Sequence, residues 1–146
     1  MFSPATRPIR CMLVEDRQSD VDMARYAVQV AQAEMEFQVV ADGAEALATL
    51  HHPGPTGHPD LVMLDLDLPG LGGLDVLRAI RDDDDLTHVP VIVLTGSVNP
   101  ADIRQAYALH ANACVRKPVD FDAFVETMRT VVLFWRGTAQ LPVPIG

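Results

Sequence analysis

Seven side chains have the types and spacing to do chemistry together. They are the acidic pair Glu15-Asp16, the carboxylates of Asp65 and Asp67, the hydroxyls of Thr95 and Ser97, and the ammonium of Lys117. They lie at the ends of four short apolar runs, residues 11–14, 61–64, 91–94 and 113–115. In an open parallel sheet, ligands bind beyond the carboxyl ends of the strands. If the runs are strands of one such sheet, all these groups converge on one edge. Three carboxylates ~5 Å apart repel by about 3 kcal/mol per pair at an effective dielectric of ~20, on the order of 10 kcal/mol in all. One lysine does not neutralise that, whereas a divalent cation does. Carboxylate and carbonyl oxygens suit Mg2+ better than Zn2+, and Mg2+ tends to share its site with phosphate oxygens. A cation, Lys117 and the Thr95 hydroxyl then make a place where a phosphoryl group could be held. Asp65 is the central nucleophile candidate. Carboxylates form aspartyl-phosphates, and in-line transfer needs mainly positioning and charge neutralisation. Taken singly, Asp16 reads as a cap, Asp65 as a strand-end carboxylate, Thr95 as a turn residue and Lys117 as a solvated base. Together, at the ends of four apolar runs, they form a set that these single readings do not explain.

The elements that must position these groups are legible in the hydropathy pattern. The four runs, with a weaker fifth at 37–41, are too short for helices. Continuous apolar runs suit strands covered on both faces, as in a parallel sheet. Helical patterns lie between them. Residues 19–33 carry Val21, Ala24, Ala27, Val28 and Ala31 near helical spacing. Residues 43–50 carry Ala44, Leu47 and Ala48 on one side, with Asp42 as cap. Residues 74–81 align Leu74, Leu77 and Ile80. Asn99-Pro100 reads as an N-cap followed by an N1 proline, opening a helix to about residue 110. Asp120 caps a last helix over 121–135. Five strands and five helices in strict alternation predict an α/β fold with right-handed crossovers. Residues 51–59 read as a loop. The expected organisation is an extension over 1–8, one domain over 9–136 and a tail without helical pattern over 137–146.

Composition narrows the function classes. The chain has 146 residues, the size of one domain. Its net charge of −9 argues against non-specific DNA binding and docking on anionic lipid. No apolar run approaches the ~18 residues of a membrane span, and residues 1–10 hold no apolar signal-peptide core. The expectation is a soluble cytoplasmic protein. Cys11 and Cys114 sit in apolar runs without metal-type spacing and read as reduced and buried. His51, His52 and His58 have no companion cluster of soft ligands. The acidic run 82–85 reads as a solvated loop. The glycine stretch 70–73 lacks the following Gly-Lys-Ser/Thr of a Walker phosphate loop.

The segments MLVEDRQSD, LVMLDLDLPGLGG, VPVIVLTGS and ACVRKP resemble the receiver domains of two-component response regulators. The likeness spans about residues 9–136. The 30-residue step from Asp65 to Thr95 and the 22-residue step from Thr95 to Lys117 fit the family. So do Pro69 and Gly73 in the loop after Asp65. The resemblance implies a flavodoxin-like sheet of order 2-1-3-4-5 and phosphorylation of Asp65. It implies Mg2+ held by Asp16 and Asp65 directly, by Asp67 through its carbonyl and by Glu15 through water. Lys117 would contact the phosphoryl oxygens, and Thr95 would couple phosphorylation to the helix after Asn99. Asp67 and Ser97 would tune the lifetime of the phosphorylated state. The Lys117-Pro118 bond would be cis. Cys114 departs from the family, where many members carry an aromatic switch residue, and Glu15 replaces the commoner aspartate. The closing segment FDAFVETMRTVVLFWRGTAQLPVP resembles the tails of receivers paired with bacterial phytochrome histidine kinases, which makes such a kinase the expected partner.

In the last helix, five consecutive apolar residues at 131–135 span more than one face, so some point away from the core. Val131, Leu133, Phe134 and Trp135 are the expected interface of a homodimer, unless the tail at 141–145 folds over them. The expected function is a signalling switch without its own output domain, read by a partner protein or acting as a phosphate sink. Beyond phosphorylating and dephosphorylating itself, it is not expected to be an enzyme. Two other readings remain. One is a degenerate receiver acting as a binding module. The other is a small phosphatase, suggested by the DLDLPG segment, although no cap domain accompanies it.

Overall fold

The apolar runs become five parallel strands. The computed structural model describes residues 7–97 and 99–142. The strands are β1 (Ile9–Val14), β2 (Met35–Val40), β3 (Leu61–Asp65), β4 (Val91–Thr95) and β5 (Ala113–Arg116), in sheet order β2-β1-β3-β4-β5. Helices α1 (Gln18–Ala31), α2 (Gly43–His51), α3 (Gly73–Asp82), α4 (Pro100–Ala108) and α5 (Phe121–Leu133) alternate with them. The order reverses between β1 and β3, the place where open α/β sheets bind ligands. This is the flavodoxin-like arrangement that the resemblance implied.

Side-chain alternation along the strands feeds two cores. Met12, Val14, Val62, Leu64 and Val93 face one layer, with Ala46 and Leu50 of α2, Leu77 and Ile80 of α3 and Ala106 of α4. Leu13, Met63, Ile92 and Leu94 face the other, with Val21 and Ala24 of α1 and Phe124 and Met128 of α5. Fully burying each Val, Leu, Ile or Met stabilises by roughly 1.5–3 kcal/mol. Every residue of β3 and β4 is buried, whereas β2 and β5 are edge strands with partly exposed residues.

The three helix starts predicted from capping residues form as expected. The carboxylate of Asp42 accepts the Glu45 N–H at 2.7 Å, and that of Asp120 accepts the Ala123 N–H at 2.9 Å. The Asn99 side chain accepts the Ala101 N–H at 3.0 Å, with Pro100 next to it. Each such cap contributes ~1 kcal/mol. Other details differ from the pattern reading. β2 starts at Met35 and ends at Val40, because its pairing with β1 runs from Ile9 opposite Met35 to Val14 opposite Val40. α2 buries Gly43, Ala46 and Leu50 and leaves Ala44 and Ala48 exposed. Its rotation follows from a close approach, since a Cβ on Gly43 would lie 2.6 Å from the Leu71 carbonyl. Asp82 belongs to α3, so only the rest of the acidic run is a turn. Cys11 is buried, but Cys114, on the edge strand, is only half-buried. Phe121, the first residue of α5, is exposed.

A π-helical turn, Phe134–Thr138, continues α5 into the region expected to be unstructured tail. It carries Trp135 against the second core, where Val131 and Leu141 also pack. Leu133 and Phe134 stay 39% and 48% exposed. Tail residues 143–146 lie outside the described residues. Among the described residues, no helix is long and apolar enough to cross a membrane.

Candidate functional site at the carboxyl edge of the sheet

Strand register decides which polar groups meet. β1 and β3 pair with Val14 opposite Leu64, so Glu15 and Asp65 both follow an aligned pair. In β4, Leu94 lies opposite Asp65, and Thr95 stands one residue beyond. Glu15, Asp65 and Thr95 are only 3%, 4% and 1% exposed. Asp16 is exposed at the rim. One carboxylate oxygen from each of Glu15, Asp16 and Asp65 lies within 4.8 Å of the others. Three of the carboxylates expected from the sequence therefore lie together.

The loops after the strands complete the site. The Lys117 N–H donates to the Thr95 carbonyl at 2.8 Å, tying the end of β5 to β4. From there the Lys117 ammonium donates to Glu15 Oε1, to Asp65 Oδ2 at 3.1 Å and to Asp20 Oδ2 at 2.8 Å. The Lys117-Pro118 peptide is trans, contrary to the expectation of a cis bond. Trans is the intrinsically favoured isomer even before proline, and in it the ammonium already reaches all three carboxylates. The other oxygen of Asp65, Oδ1, accepts the Asp67 N–H at 3.0 Å. The Asp67 side chain is exposed and lies outside the carboxylate trio. Gly73 permits the chain to return under the site, because a Cβ there would lie 2.4 Å from the Asp65 carbonyl.

A chain of hydrogen bonds leaves the site through Thr95. Its hydroxyl accepts the Ser97 N–H at 3.0 Å. The Ser97 hydroxyl donates to Asp102 Oδ2 at 2.7 Å in the first turn of α4 and accepts the Asn99 N–H at 3.2 Å. Thr95 is thereby linked to the start of α4. At the other end of α4, the Tyr107 hydroxyl accepts the Cys114 N–H of the sheet edge at 3.2 Å. An aromatic residue thus stands beside the position where the family often has one, supplied by a different element.

The electrostatics are lopsided. Burial pushes the Glu15 carboxyl up to about 7. The hydrogen bond and charge of Lys117 pull it down, and the Asp65 charge adds to the rise. For Lys117, burial favours loss of the proton, but hydrogen bonds to Asp20 and Glu15 and the charges of Asp65 and Glu15 outweigh it and raise its pKa. Glu15, Asp20 and Asp65 face this single ammonium, and Asp16 stands beside Glu15 and Asp65. The donors are hard carboxylate oxygens, which fit a Mg2+-like divalent cation and not a soft metal.

Asp20 is the residue that sequence reasoning missed. It stands four residues after Asp16 in the first turn of α1. Asp16 precedes the extended N-cap Arg17, so no helical spacing relates the two and no local pattern flags Asp20.

Comparison with known proteins agrees with this geometry. The profile of the response regulator receiver domain family matches residues 11–129. The response regulator Rcp1 of Synechocystis sp. is 31% identical over 145 residues, covering 97% of this chain and 99% of that protein. The Mn2+-bound form of Rcp1 superposes with a TM-score of 0.87 at 32% identity, over 93% of this chain and 100% of that one. The phosphorylated cyanobacterial phytochrome response regulator RcpA gives a TM-score of 0.87 at 34% identity, over 93% and 99%. The bacteriophytochrome response regulator AtBRR gives 0.69 at 37%, over 88% and 96%. With this match in sequence and fold, and with a carboxylate site suited to a divalent cation at the expected sheet edge, the chain belongs to the response regulator receiver domain family.

Proposed function

We propose that Asp65 is the phosphoryl acceptor of this receiver, and that Lys117, Thr95 and a divalent cation held by Glu15, Asp16 and Asp65 serve the transfer. The observation that carries this reading is the convergence on Asp65 of two further carboxylates within 4.8 Å and of the Lys117 ammonium at 3.1 Å. An Asp65 oxygen attacks phosphorus, forming a P–O bond as the P–N bond of a phosphohistidine breaks, and the departing imidazole takes up a proton. When bound, the cation supplies positive charge for the carboxylates and the phosphoryl oxygens. Asp16 and Asp65 would hold it by side chain, Glu15 through water and Asp67 by its carbonyl. Lys117 is held against Asp65 before transfer, so it is ready to donate to a phosphoryl oxygen. Thr95, buried and one residue beyond Asp65 across the sheet, turns its hydroxyl to the phosphoryl group. That movement abandons the Ser97 N–H and perturbs the start of α4. Asp67 and Ser97, at the two sides of the site, tune the lifetime of the product.

The donor is a sensor histidine kinase of the bacterial phytochrome type. Support comes from the likeness to RcpA and AtBRR, both named for phytochromes, over most of the chain. The setting is cytoplasmic. Signalling passes to a partner protein or the phosphoryl group is drained as a sink, and the chain's own chemistry is confined to its aspartyl phosphate. A homodimer forms through the end of α5. Leu133 and Phe134 support it by their exposure, whereas Val131 and Trp135 are engaged with the core and contribute less. A light-scattering mass of one chain at tens of micromolar, with and without beryllofluoride, removes the dimer.

Intact-protein mass after incubation with Mg2+ and acetyl phosphate tests the main proposal. A gain of one phosphoryl group is expected in the wild type and not in Asp65→Asn. No gain in a folded wild type, even with a histidine kinase, would leave a binding module. Steady turnover of phosphate esters would make the chain a phosphatase.

A further inference from the structure

Lys117 is the sole lysine of the chain; the other ten basic residues among its eleven Lys and Arg are arginines. It is clasped by three carboxylates, two of which, Glu15 and Asp65, belong to the group suited to a cation. A cation there and the ammonium share the Glu15 and Asp65 carboxylates, and the two positive charges repel. The third partner, Asp20, does not belong to that group. Its side chain is 14% exposed, that of Lys117 is 11% exposed, and their contact is 2.8 Å. Asp20 reaches across from the first turn of α1, 97 residues away in sequence, and its backbone N–H is fixed on the Arg17 carbonyl at 3.1 Å.

We propose that Asp20 is a positioning residue for Lys117, a carboxylate that keeps the ammonium in the site when a divalent cation occupies Glu15 and Asp65. This inference rests on the cation-site reading above. Without metal, Lys117 has three counter-charges and Asp20 is dispensable. With metal, two of them are shared and Asp20 becomes the anchor. An ammonium that loses it swings to solvent and no longer meets the phosphoryl group. Asp20 also lies near the positive end of the α1 dipole, where any acidic residue is mildly favourable. That role does not depend on metal.

A single lysine makes the test direct. Protein labelled with 15N-lysine carries one side-chain ammonium signal, visible when the group is hydrogen-bonded and shielded from solvent exchange. The wild type is expected to show it with and without Mg2+, at a chemical shift that moves when Mg2+ is added. Asp20→Asn is expected to show it without Mg2+ and lose it with Mg2+, while Asp20→Glu keeps it in both states. Phosphorylation by acetyl phosphate at saturating Mg2+ is expected to slow about tenfold in Asp20→Asn, the size of one charge-assisted hydrogen bond. If Asp20→Asn responds to Mg2+ as the wild type does, keeps the signal and keeps the rate, the positioning role is overturned and the cation site stands. If the wild-type spectrum ignores Mg2+, the cation-site reading falls and the inference with it. A wild-type signal missing without Mg2+ contradicts the clasp itself.

Discussion

The two ends of the sheet treat carboxylates in opposite ways. At the amino ends of the strands, Asp60 receives both Arg7 guanidinium nitrogens, at 2.7 and 2.9 Å, and the Arg10 N–H at 2.9 Å. Burial raises its pKa, but the Arg7 and Arg10 hydrogen bonds outweigh that and hold it below the usual carboxylate range. At the carboxyl ends, three carboxylates share one ammonium, Asp16 adds a further carboxylate beside Glu15 and Asp65, and burial drives Glu15 up to about 7. Asp60 is matched by the protein's own donors and is a structural clamp. The opposite edge is left short of positive charge, and that shortage suits it to a divalent cation.

The largest expected contrast lies in chemistry. Asp65→Asn abolishes phosphoryl uptake, while Asp60→Asn leaves it at the wild-type level, as read by intact mass with acetyl phosphate and Mg2+. Loss of uptake in both would mean that the two ends are not independent.

Metal linkage comes next. At one hundred times its Kd, Mg2+ should stabilise the fold by about 2.7 kcal/mol. Urea titration should find this gain in the wild type, find it missing in Asp16→Ala and find it intact in Asp60→Asn.

Proton linkage sharpens the comparison because the two ends have opposite signs. Folded Glu15 holds its proton to a higher pH than unfolded Glu15. Between the ordinary glutamate value of 4.5 and about 7, the native state therefore binds more protons, and metal-free stability falls as pH rises. Asp60 is depressed, so its contribution is present above the ordinary aspartate value of 3.8 and fades as pH falls below it. Denaturation curves from pH 3 to 8 should show both trends, with Glu15→Gln flattening the upper one and Mg2+ opposing it.

The smallest effect is the clamp itself. Arg7 is half exposed, so screening limits its share. Asp60→Asn, which retains an oxygen for the Arg10 N–H, should cost about 1 kcal/mol above pH 5.

Local pattern and tertiary context divide the legible from the illegible. The strands at 61–64 and 91–94 were readable because they are buried on both faces, and burial on both faces writes itself as unbroken apolar sequence. The caps at Asp42, Asn99 and Asp120 were readable because a cap bonds backbone only two or three residues away. The phase of α2 was not, since it depends on the close approach of Gly43 to Leu71, 28 residues on. Nor was the half-exposure of Cys114, because an edge strand and a central one share the same short apolar pattern. Leu133 and Trp135 look alike in sequence, and only the π-helical turn and its packing separate the exposed residue from the seated one.

For the site, the chain itself supplies the membership of Glu15, Asp16, Asp65, Thr95 and Lys117, because each follows an apolar run and a parallel sheet brings the ends of its strands to one edge. Distances and competition are another matter. That Lys117 is held by three carboxylates and that Asp20 is one of them depend on how α1 and the loop after β5 pack together, across 97 residues of chain. Periodicity records which face of an element is buried. Contacts between elements follow from the sheet register, which no local stretch of sequence contains.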